Sequence, residues 1–122
     1  MRFLLLYRTD NKNVEAGVPP GANESARMGK LMEDMGKAGV LLATEGLQPS
    51  SRGAKVRLSR GKMTVTNGPF TDGGEILAGY ALIEVKAKEE AISWTKRFLD
   101  VAGDGESEIR ELFDGSAFGP ER

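Results

Sequence analysis

The chain has 122 residues, with 17 basic against 18 acidic side chains and neither cysteine nor histidine. This length predicts one domain spanning residues 1–122. The missing residue types exclude disulfides, Cys/His zinc sites and Ser-His or Cys-His catalysis, so carboxylates, tyrosines, lysines and arginines remain for acid–base work. The near-neutral charge, with no basic block, predicts no nucleic-acid partner.

The apolar runs are too short for membrane insertion. The N-terminal run, residues 3–7, is far below the roughly 20 residues that a membrane span needs, and no cleavage site of small residues follows it. The sequence therefore predicts a soluble cytoplasmic protein with no membrane partner.

The first third of the chain predicts a strand, a helix and a second strand. Residues 3–7 are apolar on both alternating faces, as in a central strand, and residues 10–20 are polar and rich in turn formers, which predicts a loop. A helix follows, capped by Asn23 or a neighbouring residue and ended by Gly39. Its methionine-rich stripe favours packing on a sheet over an adaptable binding surface. Residues 40–47 predict the second strand.

A hairpin ribbon and a long strand come next. Residues 54–59 and 63–66 alternate apolar with polar side chains around an Arg-Gly turn, which predicts a hairpin with one solvated face. Residues 76–85 are the longest strand candidate and are apolar on both sides, with Leu77 on the side opposite Tyr80.

The chain then predicts a second long helix and a last strand. The helix begins near Glu89, buries one apolar stripe and ends at Gly103, and residues 107–113 supply the strand. Residues 114–122 predict a polar tail. This order predicts an α+β, ferredoxin-like βαββαβ fold of the dimeric α/β barrel type, with an extra hairpin ribbon and both helices on one face of the sheet.

The predicted sheet has one face without helices. Because two helices cannot cover two faces and the two longest strands are apolar on both sides, the uncovered face needs another partner. A second copy of the same sheet is the economical one. We therefore expect a homodimer.

Residues 66–80 join the ribbon to the long strand, and their turn formers predict a stiff, exposed connection. Asn67 opens the first turn and Asp72 the second. Phe70 and Glu75 lie on the same connection, where chemistry can be displayed to solvent.

This connection carries a resemblance to the DGPF branch of the YCII-related family, along residues 1–112. Asn-Gly-Pro-Phe at 67–70 is similar to the family's Asp-Gly-Pro-Phe signature. The further matching positions are Glu75, Gly79-Tyr80, 83–85, 45–49, Ala54, Val56-Arg57 and Ile109-Arg110. The resemblance implies dimers of ferredoxin-like domains with facing sheets, and no single activity. Some members are thought to work through a His-Asp pair, which this histidine-free chain cannot use.

Asp72 and Glu75 are the candidate catalytic acids. They are three residues apart, close enough to hold unequal pKa values, although a turn aspartate and a strand-start glutamate give the same pattern. The resemblance places Glu75 on an acidic position after the signature, and partial burial at the start of the long strand predicts a raised pKa. We expect any chemistry to depend on Glu75 rather than Asp72.

Other side chains are candidates for ligand binding. Two arginines on separate strands could hold a ligand carboxylate or pair with Glu45 or Glu75, and the tyrosines could line a pocket or anchor the core. No cofactor and no metal are predicted, since two close carboxylates supply too few oxygens for a calcium site. The ligand-binding candidates are Tyr7, Glu45, Arg57, Asn67, Phe70, Tyr80 and Arg110.

Three functions fit these residues. The first is a dimer that binds a small molecule in a cleft beside residues 67–70. The second is a non-catalytic regulatory or interaction module, and the third is an enzyme that uses a carboxylate in place of the missing histidine. Convergence of the candidates on one concave pocket favours the first, whereas scattered positions favour the second.

Overall fold

Strands and helices follow one another in nearly the predicted order. The structure, a computed structural model, describes residues 1–70 and 74–114. Within those ranges no helix is long and apolar enough to cross a membrane. The elements are β1 Arg2–Thr9, α1 Lys12–Glu15, α2 Ala22–Lys37, β2 Leu41–Gly46, a 3-10 turn Ser50–Arg52, β3 Ala54–Ser59, β4 Lys62–Asn67, β5 Ile76–Glu84, α3 Lys88–Ala102 and β6 Glu106–Glu111.

Four strands form one antiparallel sheet in the order β2-β5-β1-β6, and β3 pairs only with β4 in a separate two-stranded sheet. The two long helices each connect strands of the larger sheet. This is the predicted ferredoxin-like βαββαβ arrangement, with the β3–β4 hairpin inserted between β2 and β5. The predicted fold class is therefore confirmed.

The core lies between the larger sheet and its two long helices. Every second residue of β1 is buried on this side, beginning with Phe3, which is 2% exposed, and Ile83 of β5 is fully buried. Leu31 of α2 and Ala91 of α3 belong to the same buried cluster. Both long helices therefore pack on one face, as predicted.

The opposite face of the sheet, here called the helix-free face, carries the intervening side chains of the central strands. Leu4 and Leu6 of β1 lie opposite Leu82 and Tyr80 of β5, and all four are half-buried. None of them belongs to the buried core cluster. This face is apolar at its centre without a layer of helices over it.

A register shift in β5 changes the side on which its first residues lie. Tyr7 pairs with Gly79 but Arg8 pairs with Leu77, which leaves Ala78 as the extra residue of a β-bulge. Leu77 consequently lies on the side of Tyr80, so the prediction that placed these residues on opposite sides is wrong.

The segment between β1 and α2 also differs from prediction. Residues 10–20 contain the one-turn helix α1, whose cap Asn11 accepts a hydrogen bond from the Asn13 backbone N–H at 2.9 Å. Helix α2 begins after Gly21, without a side-chain cap, so of the positions predicted, Asn23 or a neighbouring residue, the nearby glycine is the cap. Gly39, with φ 72°, follows the end of the helix as expected.

The β3–β4 hairpin, here called the arm, has solvent on both faces. Its turn at Arg60 and Gly61 has φ angles of 52° and 78°, as the predicted Arg-Gly turn requires. The prediction that only one face of the hairpin is solvated is wrong for the single chain. Both faces of the arm are exposed, and no other described strand pairs with it. The predicted tail lies outside the described residues from 115 onward.

Candidate functional site

A cavity of about 560 Å³ lies between the helices and the sheet. Its floor comes from β1, β2 and β5, its walls from α2 and α3, and its rim from the segment around α1 and from residues 47–49. Met28 and Met32 of α2 face Trp94 and Phe98 of α3 across it. The cavity is therefore lined mainly by flexible and aromatic apolar side chains.

Several polar groups in the lining already have partners. The Tyr7 hydroxyl donates to the Asp104 carbonyl at 3.2 Å, and its ring meets that of Phe98 edge-on with centroids 5.1 Å apart. The Thr44 hydroxyl donates to the Tyr80 carbonyl at 2.9 Å. These bonds fix the shape of the cavity and leave the apolar surfaces to meet a ligand.

The charged residues of the lining have one sign. Glu24 and Glu45 belong to the lining, and no lysine or arginine does within the described part of the chain. Both glutamates are exposed residues and make no ion pair with other described residues. The Glu45 side chain lies on the helix-free face, opposite Tyr80, so Glu24 is the carboxylate beside the cavity, and its negative charge favours a neutral or cationic guest over an anion.

The signature connection is held by a clasp between distant segments. The Phe70 backbone N–H donates to the Ser50 hydroxyl at 2.8 Å, and Ser50 donates from its backbone N–H to Glu15 at 2.7 Å. The Ser50 hydroxyl also donates to the second Glu15 oxygen. The Ser50 hydroxyl, and then its backbone N–H, lower the pKa of the Glu15 carboxyl below its ordinary value.

Gly68 allows the same segments to touch. A Cβ at this position would lie 1.8 Å from the Ser50 carbonyl oxygen, and the Gly68 N–H donates to the Gly53 carbonyl at 3.0 Å. Beside it, the Lys55 ammonium lies 4.7 Å from the centroid of the half-buried Phe70 ring. The motif therefore clamps the base of the arm to the body of the protein.

The predicted ligand-binding residues fall into two groups. Tyr7, Glu45 and Tyr80 all border the cavity, but only Tyr7 lies on the cavity side of the sheet, since Glu45 and Tyr80 are paired on the helix-free face. Arg57 and Asn67 lie exposed on the arm, Phe70 lies at its base, and Arg110 lies on β6, and none of these lines the cavity. The structure therefore does not gather the seven candidates at one site, and the cavity is not the cleft beside residues 67–70 that the sequence predicts.

Glu75 is exposed, immediately before β5. The expectation that partial burial acts on its carboxyl is therefore wrong, whereas its role toward a ligand stays a prediction. Asp72 lies outside the described residues. The predicted pairing of Arg110 with Glu45 or Glu75 is also wrong, because Arg110 bonds Glu108 at 2.9 Å.

The Glu108 carboxylate of β6 forms ion pairs with two arginines, Arg8 of β1 and Arg110 of β6. The distance to Arg110 is 2.9 Å and the distance to Arg8 is 3.3 Å. These contacts, the Arg110 hydrogen bond first, hold the pKa of Glu108 below its ordinary value. The arrangement accounts for Arg110 structurally, as a surface ion pair.

Sequence reasoning missed part of the cavity wall. The methionine stripe of α2 was assigned to core packing, and this is right for Met35, which is 3% exposed. Met28 and Met32 of the same stripe also line the cavity. The Glu15–Ser50 clasp gave no sequence signal because its residues are 35 positions apart.

Residues 1–70 and 74–114 contain no side-chain cluster that could bind a metal ion. No group of three or more carboxylates lies close enough there to hold an ion.

Comparison with known proteins places the chain in a family. A family model described as the YCII-related domain matches residues 1–115. The chain belongs to the YCII-related family. The resemblance of the signature connection is thereby confirmed. No curated protein matches this YCII-related chain by sequence.

One solved structure shares the fold of this YCII-related protein. It is the 5-chloro-2-hydroxyhydroquinone dehydrochlorinase TftG from Burkholderia phenoliruptrix AC1100, in complex with 2,5-dihydroxybenzoquinone. The similarity covers 98% of this chain and 100% of TftG, with a TM-score of 0.50 and 12% sequence identity. At that identity the likeness shows the fold alone.

Proposed function

We propose that this YCII-related protein binds a small, mainly apolar, ring-containing molecule without negative charge in the cavity between sheet and helices. The composition of the cavity wall carries the proposal. Its described residues combine aromatic and methionine side chains with the Glu24 carboxylate and no lysine or arginine. Ligand pockets of roughly 300–1,000 Å³ commonly have this apolar lining with a few polar groups.

The polar groups of the ligand are proposed to meet the rim. Glu24 can accept hydrogen bonds from a hydroxyl or an amine, or can pair with an ammonium group. Trp94 and Phe98 offer aromatic faces to a ring or a cation. The ring provides affinity through apolar contact, and the Glu24 carboxylate selects against anions.

Catalysis by a carboxylate is the second candidate. Glu24 lies on the same stripe of α2 as Met28 and Met32, at positions four and eight residues before them, and all three residues line the cavity. Glu24 could therefore take a proton from a bound ligand in place of a histidine. Glu24→Gln would then abolish turnover while ligand binding persists, whereas equal loss of both would leave Glu24 a binding residue.

A matched pair of fluorescent probes tests the binding proposal. N-phenyl-1-naphthylamine is neutral, and 1-anilinonaphthalene-8-sulfonate has the same rings with an added sulfonate. Trp94 is the only tryptophan of the chain and lines the cavity, so energy transfer from it reports occupancy. We expect the neutral probe to bind at least about tenfold more tightly, a difference of about 1.4 kcal/mol. Equal affinities, or tighter binding of the sulfonate, would contradict the proposal.

Two alanines on opposite faces of the sheet provide the control. Ala81 of β5 lines the cavity, and Ala43 of β2 lies opposite Leu82, at a position of the helix-free face. Ala81→Leu should reduce probe affinity because its added carbons occupy the cavity, whereas Ala43→Leu should leave affinity unchanged. Melting temperatures of both variants separate lost binding from lost folding.

The ligand of TftG supplies a further probe. 2,5-Dihydroxybenzoquinone is an acidic hydroxyquinone, and the Glu24 carboxylate should disfavour its anion. We expect little quenching of Trp94 by this compound at concentrations that saturate a neutral ring of similar size. Strong quenching that Ala81→Leu abolishes would replace the proposed ligand class with an anionic quinone.

We also propose that the protein is a homodimer joined through the helix-free face. The apolar centre of that face, Leu4, Leu6, Tyr80 and Leu82, supports a partner of the same shape. Light scattering at micromolar concentration should give twice the mass of the 13.1 kDa chain. A stable monomer mass would refute the dimer and leave the cavity proposal standing.

A further inference from the structure

The arm presents a continuous apolar face to solvent. In the hairpin register Val56 lies opposite Val65 and Leu58 opposite Met63, so the four side chains share one face. They are 61–65% exposed. Polar and basic side chains occupy the other face, which gives the arm the amphipathic pattern of a strand pair with one face to be covered.

Among residues 1–70 and 74–114, no element of the arm's own chain covers this face. Its two strands pair only with each other, and a two-stranded hairpin alone in water is marginally stable. Its base is fixed, because Ser50 bonds both Glu15 and Phe70 and because Gly68 packs on the Ser50 carbonyl. A rigid base combined with an uncovered apolar face indicates an element that docks on another molecule.

Charge favours another copy of this chain as that molecule. Residues 50–70 contain five lysines and arginines and no acidic residue, so the other 101 residues hold 12 basic and 18 acidic residues, a net charge of −6. No arm cation forms an ion pair within the described ranges. The basic arm and the acidic remainder are therefore electrostatic complements.

The helix-free face is the matching apolar surface. Leu4, Leu6 and Leu82 lie at its centre, and Leu77, 41% exposed, extends it toward one end of β5. The arm is inserted between β2 and β5, so it leaves the sheet from that same end. An arm at this position can reach across a facing sheet.

We infer that each arm lies with its apolar face along the margin of the helix-free face of the other copy, beside the centre where the two sheets meet, so that two arms embrace the dimer reciprocally. This inference rests on the homodimer proposed above. Glu84 and Glu106, on the same side of the sheet as Leu82 and Arg8 by register, are without ion pairs among the described residues and can receive the arm's cations.

The area agrees with this arrangement. Six-residue strands give an arm about 20 Å long and about 10 Å wide, a footprint of roughly 200 Å². Two arms and the two surfaces beneath them then bury on the order of 800 Å², about half of a standard protein interface of about 1,600 Å². The facing sheets supply the rest.

A pair of double variants tests the arm. Val56→Asp with Val65→Asp adds two carboxylates to the apolar face, and Thr64→Asp with Thr66→Asp adds the same charge to the polar face. We expect the first pair to raise the dimer dissociation constant about 100-fold, because it buries unpaired charge, and the second to raise it less than about tenfold. Sedimentation at several protein concentrations measures both.

Cross-linking tests which surface the arm meets. The chain has no cysteine, so Leu58→Cys carries a single benzophenone-maleimide label that couples to whatever lies beside it. A mixture of isotope-labelled and unlabelled chains separates products between chains from products within one chain. We expect products between unlike chains on β1, β5 or β6, and far fewer from the label at Thr64→Cys.

The outcomes separate the inference from the proposed dimer. A monomer mass for the unmodified protein overturns both. A dimer whose dissociation constant is unaffected by Val56→Asp with Val65→Asp, and which yields no products between chains, overturns the arm alone. Tight binding of a short DNA duplex or of anionic vesicles, lost in the Arg57→Glu variant while the dimer is unaffected, also overturns it and assigns the arm to a polyanion.

Discussion

The four-stranded sheet and the arm are both antiparallel, but only the sheet buries an apolar face within the chain. Phe3 of β1 is 2% exposed and Ile83 of β5 is fully buried, whereas Val56 and Leu58 of the arm are both 65% exposed. The strand patterns do not cause this difference, since both regions carry apolar side chains at alternate positions. Two helices cover the sheet, and no element in the described part of the chain covers the arm.

The two regions are also held in place by different forces. The sheet is fixed by apolar packing around Ile83, where removal of side-chain volume is costly. The arm is fixed at its base by polar bonds of Ser50 and by the close approach at Gly68. An apolar pattern in a strand sequence therefore predicts that one face becomes buried. It does not predict whether the same chain or another molecule buries that face.

The largest expected effect contrasts a truncation in each region. Ile83→Ala should lower the free energy of unfolding by about 2–5 kcal/mol, because a fully buried side chain leaves a cavity. Leu58→Ala should change it by less than about 0.5 kcal/mol at protein concentrations that keep the chain monomeric. Urea unfolding monitored by circular dichroism measures both.

The same two variants, Ile83→Ala and Leu58→Ala, can also be compared at protein concentrations that favour the dimer. If the arm docks on a partner, the cost of Leu58→Ala should grow as dimer forms, since its side chain then becomes buried. A cost for Leu58→Ala that equals that of Ile83→Ala in the monomer would contradict the exposed arm.

The next effect concerns the base of the arm. Gly68→Ala places a methyl group against the Ser50 backbone at 1.8 Å and should cost about 1–3 kcal/mol through forced displacement. Gly53→Ala is the control, because a Cβ at Gly53 would lie 3.6 Å from the Ser50 carbonyl oxygen, an ordinary van der Waals contact. Similar melting temperatures for the two variants would show that the segments around Gly68 and Ser50 move apart without loss of stability.

The smallest effect is a pH dependence at the Glu15–Ser50 clasp. The pKa of Glu15 lies below its ordinary value of 4.5 in the folded chain, so its contribution to stability is fully present above that value. The contribution is lost as pH falls through the lower folded pKa. The difference in melting temperature between the wild type and Glu15→Gln should therefore be constant near neutral pH and should shrink below about pH 4.5.

Ser50→Ala provides the control for this titration. It removes the hydroxyl that contributes most to lowering the pKa of Glu15. The effect of Glu15→Gln should then be smaller, and less dependent on pH, in the Ser50→Ala background. An undiminished effect would assign the stability of the clasp to contacts other than this hydroxyl.

Much of the fold could be predicted because its elements carry local signals. The strand at 76–85 was predicted within one residue of β5, and Gly103, with φ 95°, ends α3 as expected. The predicted side of Leu77 was wrong, since a β-bulge broke the alternation, and the cap near Asn23 is at Gly21, where no side chain supplies it. Caps and bulges depend on how the chain meets its neighbours.

The candidate site was harder to predict than the fold. Tyr7 lies on the cavity side of the sheet, whereas Glu45 and Tyr80 lie on its opposite face and Arg57 and Arg110 do not border the cavity. The arginines were grouped with them by residue type and by resemblance. Residue type predicts what a side chain can bind, whereas the strand and face that carry it decide what it can reach.

The sequence by itself determined the secondary-structure order, the sheet with two helices on one face, and the lack of cysteine and histidine chemistry. These follow from apolar periodicity, turn formers and composition, which act over a few residues. Only the tertiary structure decided that Met28 and Trp94 share a cavity wall, that Glu15 clasps Ser50, and that the arm stands uncovered. Such contacts join residues far apart in the chain, and their stability depends on packing and solvent exclusion that no short segment contains.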